Sequence, residues 1–299
     1  MSTPVDQQRF SLTQAVIRPT LPKDTAGALR LCSQIWDGDD YIPYVWNDWM
    51  QEHSARMWTA ELGGEVAGFV RLDCQSPHQY WLHGLRVHPK LQGIGIGRRL
   101  WDTAMAAWGD DGVIRLFTAE DQHLVQHMAD MTGFSLLTPF LLMSAAPIKD
   151  QGSDFRLIQA DEGQQVMDFW NYRQKIGNDK LLDLGWEWYG PDAALIKEKF
   201  LCKKLGWWWK DKQGLLLGFW EEWEGRAGLF ISGAVCPPEC HDAFVLDCRR
   251  LAAEKHADYL GWNIPLVSIS QERAQAWGFS VLEGEDTEHL YEKTGMASE

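Results

Sequence analysis

Nowhere does the chain hold an apolar run approaching the ~20 residues that a membrane-spanning helix needs. Its first stretch, Met1 to Phe10, is polar and has no signal-like apolar centre. Both absences lead to the expectation of a soluble, cytoplasmic protein. Cationic side chains are scarce as well: 28 Lys and Arg against 42 Asp and Glu leave a formal net charge of -14. Phosphate backbones are gripped by Lys and Arg, so this balance argues against nucleic acid and fits a cationic small molecule better. Cysteine is thin, with six thiols scattered over 299 residues, which excludes a disulfide scaffold. The cluster Cys236-Pro-Pro-Glu-Cys240-His241, with Cys248 beyond it, has no paired partner to complete four zinc ligands. These cysteines read as small buried hydrophobes, and no metal is expected.

Tryptophan is what the chain has in excess, 17 in all, many of them in the second half as in Trp207-Trp208-Trp209. Such rings could line a ligand cleft, form a homodimer interface or fill an aromatic core. Alternation and Gly/Pro punctuation predict an α/β order. Strands are expected at 15–20, 56–62, 66–74, 80–87 and 113–118, and helices at 22–36, 44–53, 97–108 and 123–131. Closing strands are expected over 134–144. The polar run 145–154, with Pro147 and Gly152, reads as a linker, giving domains 1–147 and 152–299. The second half repeats the order, with a hairpin region over 207–235, a helix at 241–256 and a strand at 259–265. Met131-Thr-Gly-Phe134 and Ala276-Trp-Gly-Phe279 end the two halves alike, suggesting duplication.

The segment that carries chemistry runs from Trp81 through Val87-His-Pro89 to Gln92-Gly-Ile-Gly95-Ile-Gly97-Arg98. A strand ends, a turn follows, and alternate glycines enter a helix. Glycine lets the backbone approach a ligand closely, and the helix start adds unpaired amides and the positive dipole end, so the stretch suits a pyrophosphate. No Gly-Lys-Ser/Thr follows, which rules out the nucleoside-triphosphatase loop, and the Gly-x-Gly-x-Gly spacing breaks the dinucleotide fingerprint.

With those residues in place, the first half resembles the GCN5-related N-acetyltransferase (GNAT) superfamily, whose acetyl-CoA signature is Gln/Arg-x-x-Gly-x-Gly/Ala. The resemblance spans roughly residues 14–145. It implies a mixed sheet splayed between its fourth and fifth strands, with acetyl-CoA in the gap. It further implies that the main chain of Leu85, Arg86 and Val87 pairs with the pantetheine arm. Amides of Gly93, Ile94, Gly95, Ile96, Gly97 and Arg98, beside Gln92, would hold the pyrophosphate. Gln122 stands where the family usually has Asn. The amide of Val87 would face the thioester oxygen, and His83 stands near where similar enzymes often place a Glu base. The family's general-acid Tyr falls on Ala129 here, which puts that standard acid in doubt.

The loop with Trp36, Asp40, Tyr41 and Tyr44 lies where the family admits substrate; its carboxylates and rings could hold an ammonium group. A weaker likeness to the histidine N-acetyltransferase group suggests an amino acid or small amine as acceptor. The second half resembles the same fold with its cofactor loop erased, since 233–242 holds no glycine after Gly233. One acetyl-CoA per chain is therefore expected. Acetylation of protein N-termini or lysines, and a non-catalytic acyl-CoA sensor, stand as the rival readings.

Overall fold

Short alternating segments parted by Gly and Pro turns become strands throughout the computed structural model, which describes residues 15–173, 175–176, 181–223, 225–282 and 287–295. The chain divides into two compact units. The first holds the chain up to Leu116, residues 131–134 and the stretch from Glu292; the second holds 117–130 and 135–291. No helix among the described residues is long and apolar enough to cross a membrane.

In the first unit the order is β1 (Val16–Pro19), α1 (Thr25–Cys32), α2 (Ile42–Gln51), β2 (Arg56–Leu62), β3 (Glu65–Ser76), β4 (Gln79–Val87), α3 (Ile96–Trp108) and β5, which starts there and runs Val113–Ala119. Strands β1 to β4 are antiparallel neighbours, and β5 joins β4 in parallel after the α3 crossover. Asp24 starts α1: its carboxylate accepts from the Leu21 amide at 2.8 Å and from Arg18 at 2.7 and 2.8 Å. Helix α1 ends at Cys32, short of the expected Trp36, because Trp36 and Asp37 take left-handed φ of 47° and 55° and turn the chain away. Ala28, Leu31 and Cys32 of α1 and Ile42 and Trp46 of α2 pack with Phe69 of β3. Helix α3 buries Ile96, Leu100, Trp101, Ala104 and Trp108, the three-to-four spacing of a one-sided helix.

The remaining elements are α4 (His123–Met131), β6 (Ser135–Ala145), β7 (Phe155–Leu157), α5 (Gly163–Tyr172), β8 (Lys175–Ile176), β9 (Leu182–Asp183), β10 (Trp188–Tyr189), α6 (Ala193–Leu195), β11 (Gly206–Trp209), β12 (Gly214–Trp223), β13 (Arg226–Val235), α7 (His241–Glu254), β14 (Tyr259–Pro265), α8 (Gln271–Ala276), β15 (Phe279–Val281) and β16 (Glu288–Thr294). The sheet of the second unit runs β6-β14-β13-β12-β11-β7, with β15 on β6 and β8 on β13, while β9 and β10 form a separate hairpin. Among these described pairings β13 and β14 are parallel and the rest antiparallel. An antiparallel hairpin, a helix and a parallel strand thus occur twice, as β3-β4-α3-β5 and β12-β13-α7-β14.

Two further expectations are corrected, and one open choice is decided. The 207–235 region is three strands with two turns, because the chain reverses a second time between Trp223 and Arg226, where Gly225 takes a φ of +73°. The closing strands of 134–144 are one strand, Ser135–Ala145, since Pro139 does not interrupt its pairing with β14. The three consecutive tryptophans are core: Trp207, Trp208 and Trp209 are 2%, 1% and 1% exposed. Alternation along β11 sends Trp207 and Trp209 to one face of the sheet and Trp208 to the other, so a single strand supplies both cores. Cys236 and Cys248 join the first of these cores, and burial pushes the Cys236 thiol up to about 12.

Candidate active site

Strand β4 begins as an ordinary middle strand and ends as an open edge. Its pairing with β5 couples Gln79, Tyr80 and Trp81 to Val113, Ile114 and Arg115 and then stops. On its other side, Arg71 of β3 faces His83 and Phe69 faces Arg86, so two steps along β3 span three along β4. The extra residue is a β-bulge at Gly84, whose φ of +65° suits glycine, and a Cβ there would lie 2.9 Å from Trp49. The His88 amide donates back to the Ala67 carbonyl at 2.9 Å. By alternation, the amides and carbonyls of Leu85 and Val87 face away from β3, toward the side that β5 has left. Among the described residues the side chains using them are local: Gln92 reaches the Val87 carbonyl at 3.5 Å, and Arg86 reaches that of Leu85 at 3.2 Å.

A short turn, Pro89–Leu91, carries the chain from this edge to α3. Gly95 sits at the helix N-cap with φ +96°, and buried Ile96 pins the first turn. The first helical amide bonded within the helix start belongs to Arg99, which donates to the Gly95 carbonyl at 3.2 Å. Among the described residues no backbone acceptor takes the amides of Gly93, Ile94, Gly95, Ile96, Gly97 or Arg98. Arg98 itself is half exposed and pairs with Asp102 at 2.8 Å. Open edge and donor-rich turn are consecutive along the chain, a cradle suited to a long ligand ending in a diphosphate. Gln122 lies in the second unit, where its side chain donates to Asp121 at 2.9 Å.

His83 stands at the head of the open edge, 10% exposed, with Nε2 3.1 Å from Asp73 Oδ2. The other Asp73 oxygen accepts from Arg71 Nε at 2.5 Å, and Arg71 also donates to Glu52 and to the Trp49 carbonyl. Trp49 covers the imidazole, with ring centroids 4.9 Å apart. Burial alone would push the Asp73 carboxyl up; the His83 hydrogen bond and the Arg71 charge outweigh it and hold the group below its ordinary range. Asp73, Arg71 and Trp49 were not singled out from sequence. The available signal was two opposite charges, Arg71 and Asp73, at alternate positions of an otherwise apolar strand.

In the Trp36–Tyr44 loop, Asp40 is 1% exposed and accepts from Arg86 Nε at 2.9 Å and Nη2 at 3.0 Å. Arg86 in turn lies 4.4 Å from the centroid of Trp36 and 5.7 Å from that of Tyr41. The Asp40 carboxylate is thus already paired. The exposed groups are the rings of Trp36, Tyr41 and Tyr44, at 51%, 45% and 86%. His83, Arg86, Val87 and the loop residues Asp40 and Tyr41 are brought together through Arg86 and Trp49, the latter meeting Tyr41 edge-on at 6.2 Å.

Comparison with known proteins agrees with this geometry. The profile of the acetyltransferase (GNAT) family matches residues 25–134. No curated protein sequence matches the chain. Among solved structures, a GCN5-related N-acetyltransferase from Sphaerobacter thermophilus is similar at 14% identity, with 95% of this chain and 96% of that chain covered and a TM-score of 0.64. A tandem GNAT protein from the clavulanic acid biosynthesis pathway is similar at 13% identity, covering 95% and 100%, with a TM-score of 0.57. At such identities the likeness is one of fold. Residues 25–134 thus match the acetyltransferase (GNAT) family profile, in a chain that is similar in fold along nearly its whole length to a tandem GNAT protein.

Proposed function

We propose that the chain transfers the acetyl group of acetyl-CoA to a primary amine of an amino acid or another small molecule. The observation that carries this reading is the open β4 edge running straight into six unpaired amides. The pantetheine arm pairs with Leu85 to Val87, and its diphosphate rests on the amides of Gly93 to Arg98, flanked by Gln92. The Val87 amide faces the thioester oxygen, where a preorganised donor contributes ~3–4 kcal/mol to the tetrahedral intermediate. Asp73 holds the Nε2 proton of His83, leaving Nδ1 as the acceptor for a proton from the attacking ammonium. The neutral nitrogen attacks the thioester carbon, the oxyanion collapses, and the C–S bond breaks; the proton that the nitrogen then sheds passes, through water, to the departing coenzyme A thiolate. Trp36, Tyr41 and Tyr44 offer the acceptor their ring faces, while Asp40 fixes the loop through Arg86.

This places catalysis in residues 1–147 and leaves 152–299 without a cofactor cradle. A Cβ at Gly233, where the second half would need open space, would lie 2.6 Å from Trp170 and 2.7 Å from Leu182. Those side chains pack close against the strand there, where a pantetheine arm would need an open main-chain edge. Thiol release from acetyl-CoA, followed across amino acids, diamines and short peptides, tests the reading. Turnover on small amines is expected. Preference for peptides would favour protein acetylation, and acetyl-CoA binding without turnover on any acceptor would leave a sensor.

A further inference from the structure

The second unit carries a pocket of its own at the place where β13 and β14 part. Their parallel pairing covers Gly228 to Phe230 against Tyr259 to Gly261; the residues that follow on each strand, Ser232 and Asn263 among them, line a small cleft that is partly open to solvent. Aromatic rings of Phe140, Trp188 and Trp262 form walls, with Phe140 and Trp188 at a centroid distance of 4.5 Å. Asp183, on the hairpin that pairs it with Trp188, lines the same space and is 4% exposed.

The polar groups here are unusual for a core. Asp183 accepts from Asn263 Nδ2 at 2.6 Å and from the Gly185 amide at 3.0 Å, yet among the described residues no cation pairs with it. A buried carboxylate without a counter-charge is costly. Burial pushes its carboxyl up to about 7, and the nearby Glu221 adds to that rise. Two further oxygens lack partners: Asn263 Oδ1 and Ser232 Oγ, on residues 8% and 6% exposed. A primary ammonium carries three N–H donors and one positive charge, and an aromatic wall favours it over a hydrated inorganic cation.

We propose that this pocket binds the ammonium group of a small primary amine, with Asp183, Asn263 and Ser232 as its three oxygen acceptors. All residues lining the pocket belong to the second unit, and its existence does not rest on the acetyl-transfer reading. Titration calorimetry of the full chain, without acetyl-CoA, uses ethylammonium and 1,4-diaminobutane as probes and ethanol as the uncharged control. Saturable binding of the ammonium probes is expected, weakened ~10-fold or more by Asp183→Asn. Acetyl-CoA affinity of that variant stays unchanged, which separates failure of this site from failure of the catalytic one. Ser232→Ala removes one acceptor with little change in volume and lowers affinity about fivefold, so the test survives if Asp183→Asn does not fold. Absence of saturable ammonium binding, equal binding of ethanol, or binding indifferent to both substitutions would overturn the proposal.

Discussion

His83 and Asp73 form a pair in which the carboxylate is also tied to Arg71, so the imidazole is fixed in one orientation under Trp49. His83→Ala is expected to lower kcat/KM about 100-fold and to remove the limb of the pH–rate profile that reports the base, with acetyl-CoA affinity kept. An unchanged profile would rule out His83 as base. Asp73 acts through its neighbour, and its own linkage is separate. Its folded-state pKa lies below the ordinary 3.8, so its ionic partners stabilise the fold above that pH, and the contribution is lost as pH falls through the lowered value. Asp73→Asn should therefore flatten the acid side of a Tm-against-pH curve and lower the plateau.

The strand-to-helix unit depends on backbone shape more than on side chains. Gly84→Ala forces a methyl group into a left-handed conformation 2.9 Å from Trp49 and should cost about 2 kcal/mol, read by denaturant unfolding. Gly97→Glu leaves the fold intact, because its Cβ meets only Val87 at 3.4 Å, but sets a carboxylate among the diphosphate donors. Acetyl-CoA affinity should fall at least ~10-fold by calorimetry while Tm changes little. Much of this unit was legible in sequence: Pro89 stops a strand, Gln92 to Gly97 signals close approach, and His123–Met131 forms a helix with the expected bounds. The stretch between Arg173 and Gly206 was not legible. Its strands are two residues long and too brief for any period, so pairing partners distant in sequence decide them. Arg71 and Asp73 were overlooked for a related reason, since only the register of β3 on β4 puts them beside His83.

Across the molecule the two halves share an arrangement but treat the gap between their parallel strands differently. The first leaves main-chain donors unpaired there; the second inserts Trp170 beside Gly233 and keeps a carboxylate inside. Calorimetry is expected to give one acetyl-CoA per chain, and a value of two would contradict the single cradle. Burial raises Asp183 from 3.8 to about 7, so its folded form keeps a proton that the unfolded chain gives up. Its contribution is full below 3.8 and declines as pH rises toward 7. Asp183→Asn should abolish that decline in Tm between pH 4 and 8, the opposite pH sense to Asp73.

The bulge at Gly84 makes cofactor access a question of parity. Paired without the bulge at unchanged length, the strand would set Val87 opposite Ala67, and every position after Gly84 would change sides relative to β3. The Val87 amide would then be spent on its neighbour and the Arg86 side chain turned from its Asp40 anchor. A variant that irons the bulge flat at constant length should keep its sheet and lose its affinity for acetyl-CoA.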